Sequence, residues 1–214
     1  MSLLVGACTR GADIHYKTYQ FISTTVYNTP YAQMAIVHSP YSAAHGQQKL
    51  FEIFRDNKHD HLLLLDCDVV PSNDAYQRMV AHKKDIVVAP VWFYDDESNS
   101  VFYGIFDSPK STVNDRKMIP KNKGLDRMYS GGFGCMLISR KAIERFGNES
   151  FTEWSPLLPE RFKHNIASDS IFWGKCYALG IEAYVDWSIE TTHYRSVGLS
   201  NSMINRLRKG AKKK

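Results

Sequence analysis

The stretch His61-Leu62-Leu63-Leu64-Leu65-Asp66-Cys67-Asp68-Val69-Val70-Pro71 contains both a candidate strand and a candidate site. Four consecutive leucines are typical of a strand that is buried on both faces. Two carboxylates follow at positions i and i+2, a spacing that points both to one side of an extended chain. Because two like charges so close repel one another, a cation beside them would stabilise the pair.

The chemistry of the Asp66 and Asp68 pair favours a hard divalent cation. Carboxylate oxygens suit Mg²⁺ or Mn²⁺, and such ions usually complete their coordination with water and substrate phosphates. The pair therefore predicts a metal site that holds a diphosphate. The alternative is structural, with the two acids capping the next helix or simply solvated in a turn.

Segments on either side of this stretch alternate between strand and helix patterns. The predicted strands are Leu3–Cys8, Met34–Val37, Leu62–Leu65, Ile86–Val91, Cys135–Ile138 and Ile181–Trp187. Helical spacing of apolar residues covers 44–57, a segment after Ser72, a short segment ending at Gly147, and 169–179. In the first of these helices, the pattern places Gln47 and Gln48 on a polar face. Residues 94–127 predict loop with short strands.

This alternation predicts the fold class. Apolar strands that alternate with helices are typical of a single α/β domain with a Rossmann-like, mostly parallel central sheet flanked by helices. Ligands of such sheets bind beyond the carboxyl ends of the strands. Thr9-Arg10, His38-Ser39 and Asp66–Asp68 each follow an apolar run. We therefore expect them to meet at one edge of the sheet.

The composition is that of one soluble globular domain. The chain has 214 residues, of which 43% are hydrophobic and 23% charged, and this excludes disordered, collagen-like and coiled-coil classes. No apolar run approaches the roughly 20 residues needed to span a membrane. The N-terminal segment lacks the basic start of a signal peptide, so we predict a cytoplasmic location. The four cysteines fit no C-x-x-C metal pattern and are predicted to be reduced.

The net charge of +5 is concentrated at the C-terminal end. The basic residues after position 205 are Arg206, Arg208, Lys209, Lys212, Lys213 and Lys214. We assign residues 1–200 to the folded domain and 201–214 to a basic tail, whose abrupt end is consistent with a cut from a longer protein. We expect no specific nucleic-acid binding from this tail and at most weak contact with an anionic membrane surface.

Taken in order, the motifs resemble those of the GT-A glycosyltransferases, which use nucleotide sugars and carry a D-x-D motif at a strand end. Leu3–Arg10 resembles their first strand and donor-base loop, and Asp66–Asp68 their D-x-D motif. Ser130–Cys135 resembles the glycine-rich segment near the donor sugar. Ser168-Asp169 resembles the acidic motif that opens the acceptor-side helix, and His193 resembles the third metal ligand.

The resemblance covers most of the chain and implies an activity. It implies transfer of a hexose from a nucleoside-diphosphate sugar, with a UDP-sugar favoured, to a glycan or other hydroxyl acceptor, with inversion at the anomeric carbon. The implied ligands of Mn²⁺ or Mg²⁺ are Asp66, Asp68 and His193. The implied donor-binding residues are Thr9, Arg10, Asp13, Asp66, Gly131, Gly132 and Arg195.

Several of these residues have structural alternatives. A lone histidine such as His193 is more often a surface or internally paired residue. The glycines could serve a tight turn or bulge. Thr9, Arg10 and Arg195 could be ordinary turn and surface residues.

Asp169 is the candidate general base. It lies at the predicted start of an amphipathic helix, where the helix dipole and free N–H groups favour the ionised form of a carboxyl. An ionised carboxylate can take the proton of an acceptor hydroxyl as that hydroxyl attacks. The alternative is a helix cap.

The sequence departs from the family at Ser168, where many inverting members carry Glu, and at 44–46, where many carry an Ala-Arg-Asn-like segment.

Two other classes of function compete with this one. Paired carboxylates and a divalent ion also serve nucleotidyltransferases and phosphoester hydrolases, although the additional carboxylates or Walker-type loop expected there are absent from the sequence. The second is a non-catalytic protein that binds nucleic acid or anionic membrane through the basic tail, with a steep dependence on salt.

Overall fold

Residues 1–9, 13–95, 100–106, 124–153, 155–158 and 168–194 are described by the computed structural model. The predicted donor-binding residues Arg10 and Arg195 lie outside the described residues, as does the basic tail.

The strands are, in chain order, β1 (Leu3–Thr9), β2 (Ala32–His38), β3 (His61–Asp66), β4 (Val69–Pro71), β5 (Ile86–Val88), β6 (Trp92–Asp95), β7 (Ser100–Tyr103), β8 (Ile105–Phe106), β9 (Leu125–Met128), β10 (Ser130–Gly131), β11 (Cys135–Ser139), β12 (Ala183–Asp186) and β13 (Thr191–His193). The helices are α1 (Tyr16–Asn28), α2 (Ala43–Asp56), α3 (Ala75–Ala81), α4 (Arg140–Phe146) and α5 (Ser168–Ala178).

Seven strands form the central sheet, in the order β2-β1-β3-β11-β5-β12-β9. β1 is parallel to β2 and β3, and β5 is parallel to β12. β11 lies antiparallel between β3 and β5, and β9 is antiparallel to β12, so five of the seven strands share one direction. The predicted fold class, a Rossmann-like α/β domain with a mostly parallel sheet, is therefore confirmed. An apolar run carries no information on direction, so the reversal of β11 was not predicted.

The leucine strand β3 is buried on both faces, as predicted. Leu62 and Leu63 are 0% exposed, and Leu64 and Leu65 are 1% exposed. The even-numbered leucines pack with apolar side chains of α2, α4 and α5, and the odd-numbered ones pack with those of α1 and α3. Because a shift by one residue would exchange these two faces, burial fixes the register of β3 and with it the position of Asp66.

Helix α2 is fixed at both ends. At its start, the Ser42 hydroxyl accepts a hydrogen bond from the main-chain N–H of His45 at 3.1 Å. At its end, the Arg140 guanidinium donates to the main-chain oxygens of Phe54 at 2.7 Å and Arg55 at 3.1 Å. These bonds satisfy groups that a helix end leaves unpaired. They hold in place the helix that reaches the candidate site from one face of the sheet.

Short strands occupy the described parts of the region for which loop with short strands was predicted. β6 and β7 pair antiparallel, as do β8 and β10. All four cysteines are free, as predicted. Within the described ranges, no helix has both the length and the apolar character needed to cross a membrane.

Candidate functional site

The D-x-D segment lies between two strands and is held by its backbone. Asp66 is the last residue of β3, and Asp68 directly precedes β4. The main-chain oxygen of Cys67 accepts a hydrogen bond from the His15 N–H at 2.8 Å, and that of Asp68 accepts one from the Tyr194 N–H at 2.7 Å. Elements from both ends of the chain therefore fix the turn that carries the two carboxylates.

His193 faces Asp68, although the two are far apart in the sequence. β13 pairs antiparallel with β4, and this places His193 opposite Val69. The Nε2 atom of His193 lies 3.3 Å from Oδ2 of Asp68. Its Nδ1 lies 2.9 Å from the main-chain oxygen of Trp92. The sequence-based prediction that His193 returns to the D-x-D edge is therefore met.

The contact with Trp92 sets the chemistry of the His193 ring. A carbonyl oxygen can only accept, so Nδ1 donates this hydrogen bond. In the neutral ring Nε2 then carries a lone pair that faces the Asp68 carboxylate at 3.3 Å, an arrangement of two acceptors that is favourable only with a proton or a cation between them. Fixing one ring nitrogen in this way is how proteins orient a histidine that ligates a metal through the other nitrogen.

The pKa of Asp66 depends on a fourth residue, Asp169, as well as on Asp68 and His193. Burial raises the pKa of Asp66 to about 6, the charge of Asp68 adds to this rise, His193 opposes it, and Asp169 adds to it further. The charges of Asp68, His193 and Asp169 therefore all act on the Asp66 carboxyl. We refer to Asp66, Asp68, Asp169 and His193 as the carboxylate–histidine cluster.

Asp169 lies in the first turn of α5 and is partly buried. Its Oδ1 accepts a hydrogen bond from the adjacent Ser170 N–H at 2.7 Å. This is not the bond of a helix cap, which reaches an N–H two or three residues further along. Burial raises the pKa of the Asp169 carboxyl, even though hydrogen bonds from Ser170 oppose the rise. The free N–H groups at the helix start do favour the ionised form, as expected, but loss of solvation outweighs these hydrogen bonds and the net direction of the pKa shift is upward.

The cluster contains ligand types that fit Mn²⁺ or Mg²⁺ but does not form a complete metal site. Across the described part of the chain, no group of three or more Asp, Glu, His or Cys side chains is arranged to hold a metal ion. Of the three predicted ligands, Asp68 and His193 are in contact. Adjacent ligands at about 2.1 Å from an octahedral ion are about 3 Å apart, close to the separation of this pair. Carboxylate oxygen and imidazole nitrogen also suit Mn²⁺.

The two predicted donor-binding glycines differ in their surroundings. A Cβ atom on Gly131 would lie 2.9 Å from Met128 Cε and 3.0 Å from the Gly104 oxygen. The Trp173 indole also donates a hydrogen bond to the Gly131 oxygen. Internal packing thus accounts for the glycine at 131. On Gly132 the nearest atom to an added Cβ would be 3.5 Å away, an ordinary contact.

The remaining predicted donor contacts lie at the end of β1. Thr9 is 2% exposed, and its hydroxyl lies 3.3 Å from Nδ1 of His38. Its main-chain oxygen accepts a hydrogen bond from the Ser39 N–H at 2.9 Å. The ends of β1 and β2 therefore meet, as predicted, with Thr9 paired internally. Asp13 is exposed.

Two contacts that shape the site were missed from the sequence. Every residue carries a main-chain oxygen, so nothing marked that of Trp92 as the partner of His193. Gln47 was assigned to a polar face of its helix, but it is 6% exposed and accepts a hydrogen bond from the Ser168 hydroxyl at 3.0 Å. Its spacing of three residues from both Ala44 and Leu50 on the apolar face was the available signal in the sequence.

The comparisons with known proteins support the fold and do not show an activity. No protein-family model and no curated protein matches this sequence. The crystal structure of A197 from STIV is similar, with a TM-score of 0.62 and 19% identity over 92% of this chain and 87% of that chain. A structure of GalNAc-T7 with UDP, GalNAc and Mn²⁺ has a TM-score of 0.48 and 12% identity over 93% of this chain and 45% of that chain. At these identities, a likeness shows the fold alone.

Proposed function

We propose that this protein is a metal-dependent glycosyltransferase of the GT-A type, which transfers a hexose from a nucleoside-diphosphate sugar to a hydroxyl acceptor. The observation that carries the proposal is the contact of His193 with Asp68, beside the two further carboxylates of the cluster. The order of motifs along the chain supports the same conclusion. A UDP-sugar is the favoured donor, because D-x-D members of the family that this chain resembles commonly use UDP.

The metal-binding role falls to Asp68 and His193, with Asp66 as a third ligand directly or through a water molecule. A bound Mn²⁺ or Mg²⁺ would supply positive charge, which would offset the negative charge of the leaving diphosphate. The Trp92 oxygen keeps the His193 ring oriented, and the backbone bonds at Cys67 and Asp68 keep the loop in place. These contacts preorganise the ligands before the donor binds.

Asp169 is the proposed general base. A carboxylate with a raised pKa is a stronger proton acceptor than an ordinary aspartate, so it suits removal of a proton from the acceptor hydroxyl. Attack by the activated hydroxyl in a single displacement inverts the anomeric configuration.

The donor contacts and the cellular setting are also proposals. Thr9, Asp13 and Gly132 are the described candidates for the donor, and Arg10 and Arg195 are further candidates. We propose a cytoplasmic protein that acts on a glycan or other hydroxyl acceptor, with the basic tail making weak contact with anionic membrane surfaces. Binding to anionic vesicles should then weaken steeply with salt and disappear when residues 206–214 are deleted.

An assay of product formation tests the proposed function. The protein is incubated with UDP-sugars, Mn²⁺ and simple sugar acceptors, and the products are separated by mass spectrometry. We expect a glycoside and free nucleoside diphosphate. Release of nucleoside monophosphate without a glycoside would instead establish phosphoryl chemistry, and the proposal would be wrong.

Two variants assign the roles within the cluster. Asp169→Asn should bind UDP with Mn²⁺ as the wild type does and lose at least about 100-fold in kcat, because a general base contributes at least this much. Asp68→Asn should lose both binding and transfer. Asp56→Asn, at a carboxyl that is 75% exposed, is the matched control and should behave as the wild type. Normal turnover by Asp169→Asn would remove Asp169 from the mechanism.

A further inference from the structure

The start of helix α5, which carries Asp169, is joined to helix α2 by a buried hydrogen bond. Ser168 is the first residue of α5, and its hydroxyl donates to Oε1 of Gln47 at 3.0 Å. Gln47 is 6% exposed and lies on the face of α2 that packs into the core. A buried amide destabilises a protein unless it is hydrogen-bonded, so this bond explains a polar residue at a position where an apolar one would pack.

A second connection joins the same two helices further along α5. The next residue of α2, Gln48, accepts hydrogen bonds through Oε1 from the N–H groups of Phe151 at 2.8 Å and Thr152 at 3.2 Å. The main-chain oxygen of Ser150, in the same segment, accepts a hydrogen bond from the Lys175 ammonium. Lys175 lies on α5 and is 0% exposed. Helix α2 therefore holds α5 directly at its start and indirectly through the segment 150–152.

The spacing of the two connections restricts how α5 can move. Ser168 and Lys175 are seven residues apart, which is about two helical turns and about 10 Å along the axis. One attachment would let the helix pivot, whereas two attachments at this separation oppose both tilting and rotation. The attachment at Ser168 is the one adjacent to Asp169, so it has the larger effect on where that carboxylate lies.

We infer that Gln47 is a positioning residue, which acts through Ser168 to set the place of the Asp169 carboxylate relative to the rest of the cluster. This inference rests on the proposed function. Displacing a reacting group by about 1 Å can lower a rate by about 100-fold. Loss of the bond should therefore reduce the rate of the chemical step and leave the distant donor contacts intact.

The inference is tested by variants of both partners. Gln47→Met and Ser168→Ala should each lower kcat at least about tenfold with the KM for the donor unchanged. The double variant should be no slower than the slower single variant, because both changes remove one bond. Ser168→Thr retains the hydroxyl and should retain most of kcat. Gln77→Met, at an exposed position on α3, is the matched control and should leave kcat unchanged.

Amide hydrogen exchange supplies a measurement that does not depend on activity. In Gln47→Met and Ser168→Ala, exchange in the first turn of α5 should be at least about tenfold faster than in the wild type. If exchange is faster or thermal stability is lower while kcat is unchanged, the bond is merely structural and the inference is wrong. Unchanged exchange in both variants would also overturn the inference. Should Gln47→Met fail to fold, the smaller change in Ser168→Ala decides the matter. A wild type without transferase activity would overturn the proposed function itself, whatever the variants do.

Discussion

At the residue scale, the position of Asp66 was predictable and the geometry of the D-x-D pair was not. A run of four leucines fixes the strand that ends at Asp66, but Cys67 and Asp68 form a turn rather than the extended chain that would point both carboxylates to one side. The raised pKa of Asp169 could not be predicted, because it depends on burial by segments that are remote in the sequence. For the same reason, the hydrogen bond from His193 to a main-chain oxygen was not predictable.

The glycine-rich segment gives a prediction at this scale. A Cβ on Gly134 would lie 2.7 Å from Cγ2 and 3.2 Å from Cβ of Val91, and a β-branched side chain in a packed core cannot move away freely. Gly134→Ala should therefore lower the free energy of unfolding by about 1–3 kcal/mol. Gly132→Ala, with ordinary contacts only, is the control and should change stability much less. Urea denaturation measures both, and equal midpoints for the two variants would contradict this account of the segment.

At the element scale, the strands of the sheet core were well predicted and their directions were not. β1, β3 and β11 all appear in the sequence as apolar runs, yet β11 is antiparallel to its neighbours. Helix α2 was also predicted in place, but Gln47 was assigned to its polar face. A hydrophobic pattern predicts burial from the polarity of each side chain. It therefore misses a buried polar residue such as Gln47, which is stabilised by one specific hydrogen bond.

Arg140 provides a prediction about helix α2. Its guanidinium donates to the main-chain oxygens of Phe54, Arg55 and Asn57 and lies 4.3 Å from the centre of the Phe54 ring. Arg140→Met should lower the free energy of unfolding by about 2 kcal/mol, because hydrogen bonds to a charged group are lost and the partly buried oxygens of Phe54 and Arg55 lose this partner.

The neighbouring Lys141 offers a matched control for this change. Its side chain is 78% exposed, so Lys141→Met should shift stability by less than about 0.5 kcal/mol. Thermal and urea unfolding of the two variants would be compared with the wild type. Equal small effects of both substitutions would show that Arg140 does not hold the end of α2.

At the scale of the whole molecule, two histidines link stability to pH. Burial lowers the pKa of His59, the Arg140 charge lowers it further, and Asp60 opposes both. Burial also lowers the pKa of His61, with Asp60 opposing and the N-terminal amine adding to the decrease. As the pH falls below about 6.5, the unfolded chain binds protons that the folded protein resists, so these groups reduce stability in acid.

Replacing one of the two histidines tests this pH dependence. His61→Leu should make the loss of stability between pH 7 and about pH 5 shallower than in the wild type. The reason is that one imidazole whose protonation is disfavoured in the folded protein has been removed. The measurement is the urea midpoint at several pH values. The difference between the two proteins is compared because the Asp66 carboxyl, whose pKa burial raises to about 6, titrates in the same range. Parallel profiles would show that His61 contributes nothing to the acid response.

The central claim concerns the edge of the sheet where Asp66, Asp68 and His193 meet, and calorimetry of Mn²⁺ binding in the presence of UDP tests it most directly. The account predicts one Mn²⁺ site in the wild type and binding at least about tenfold weaker in Asp68→Asn and His193→Ala, with Asp56→Asn unchanged. Equal Mn²⁺ affinity in all four proteins, or none in the wild type, would contradict it.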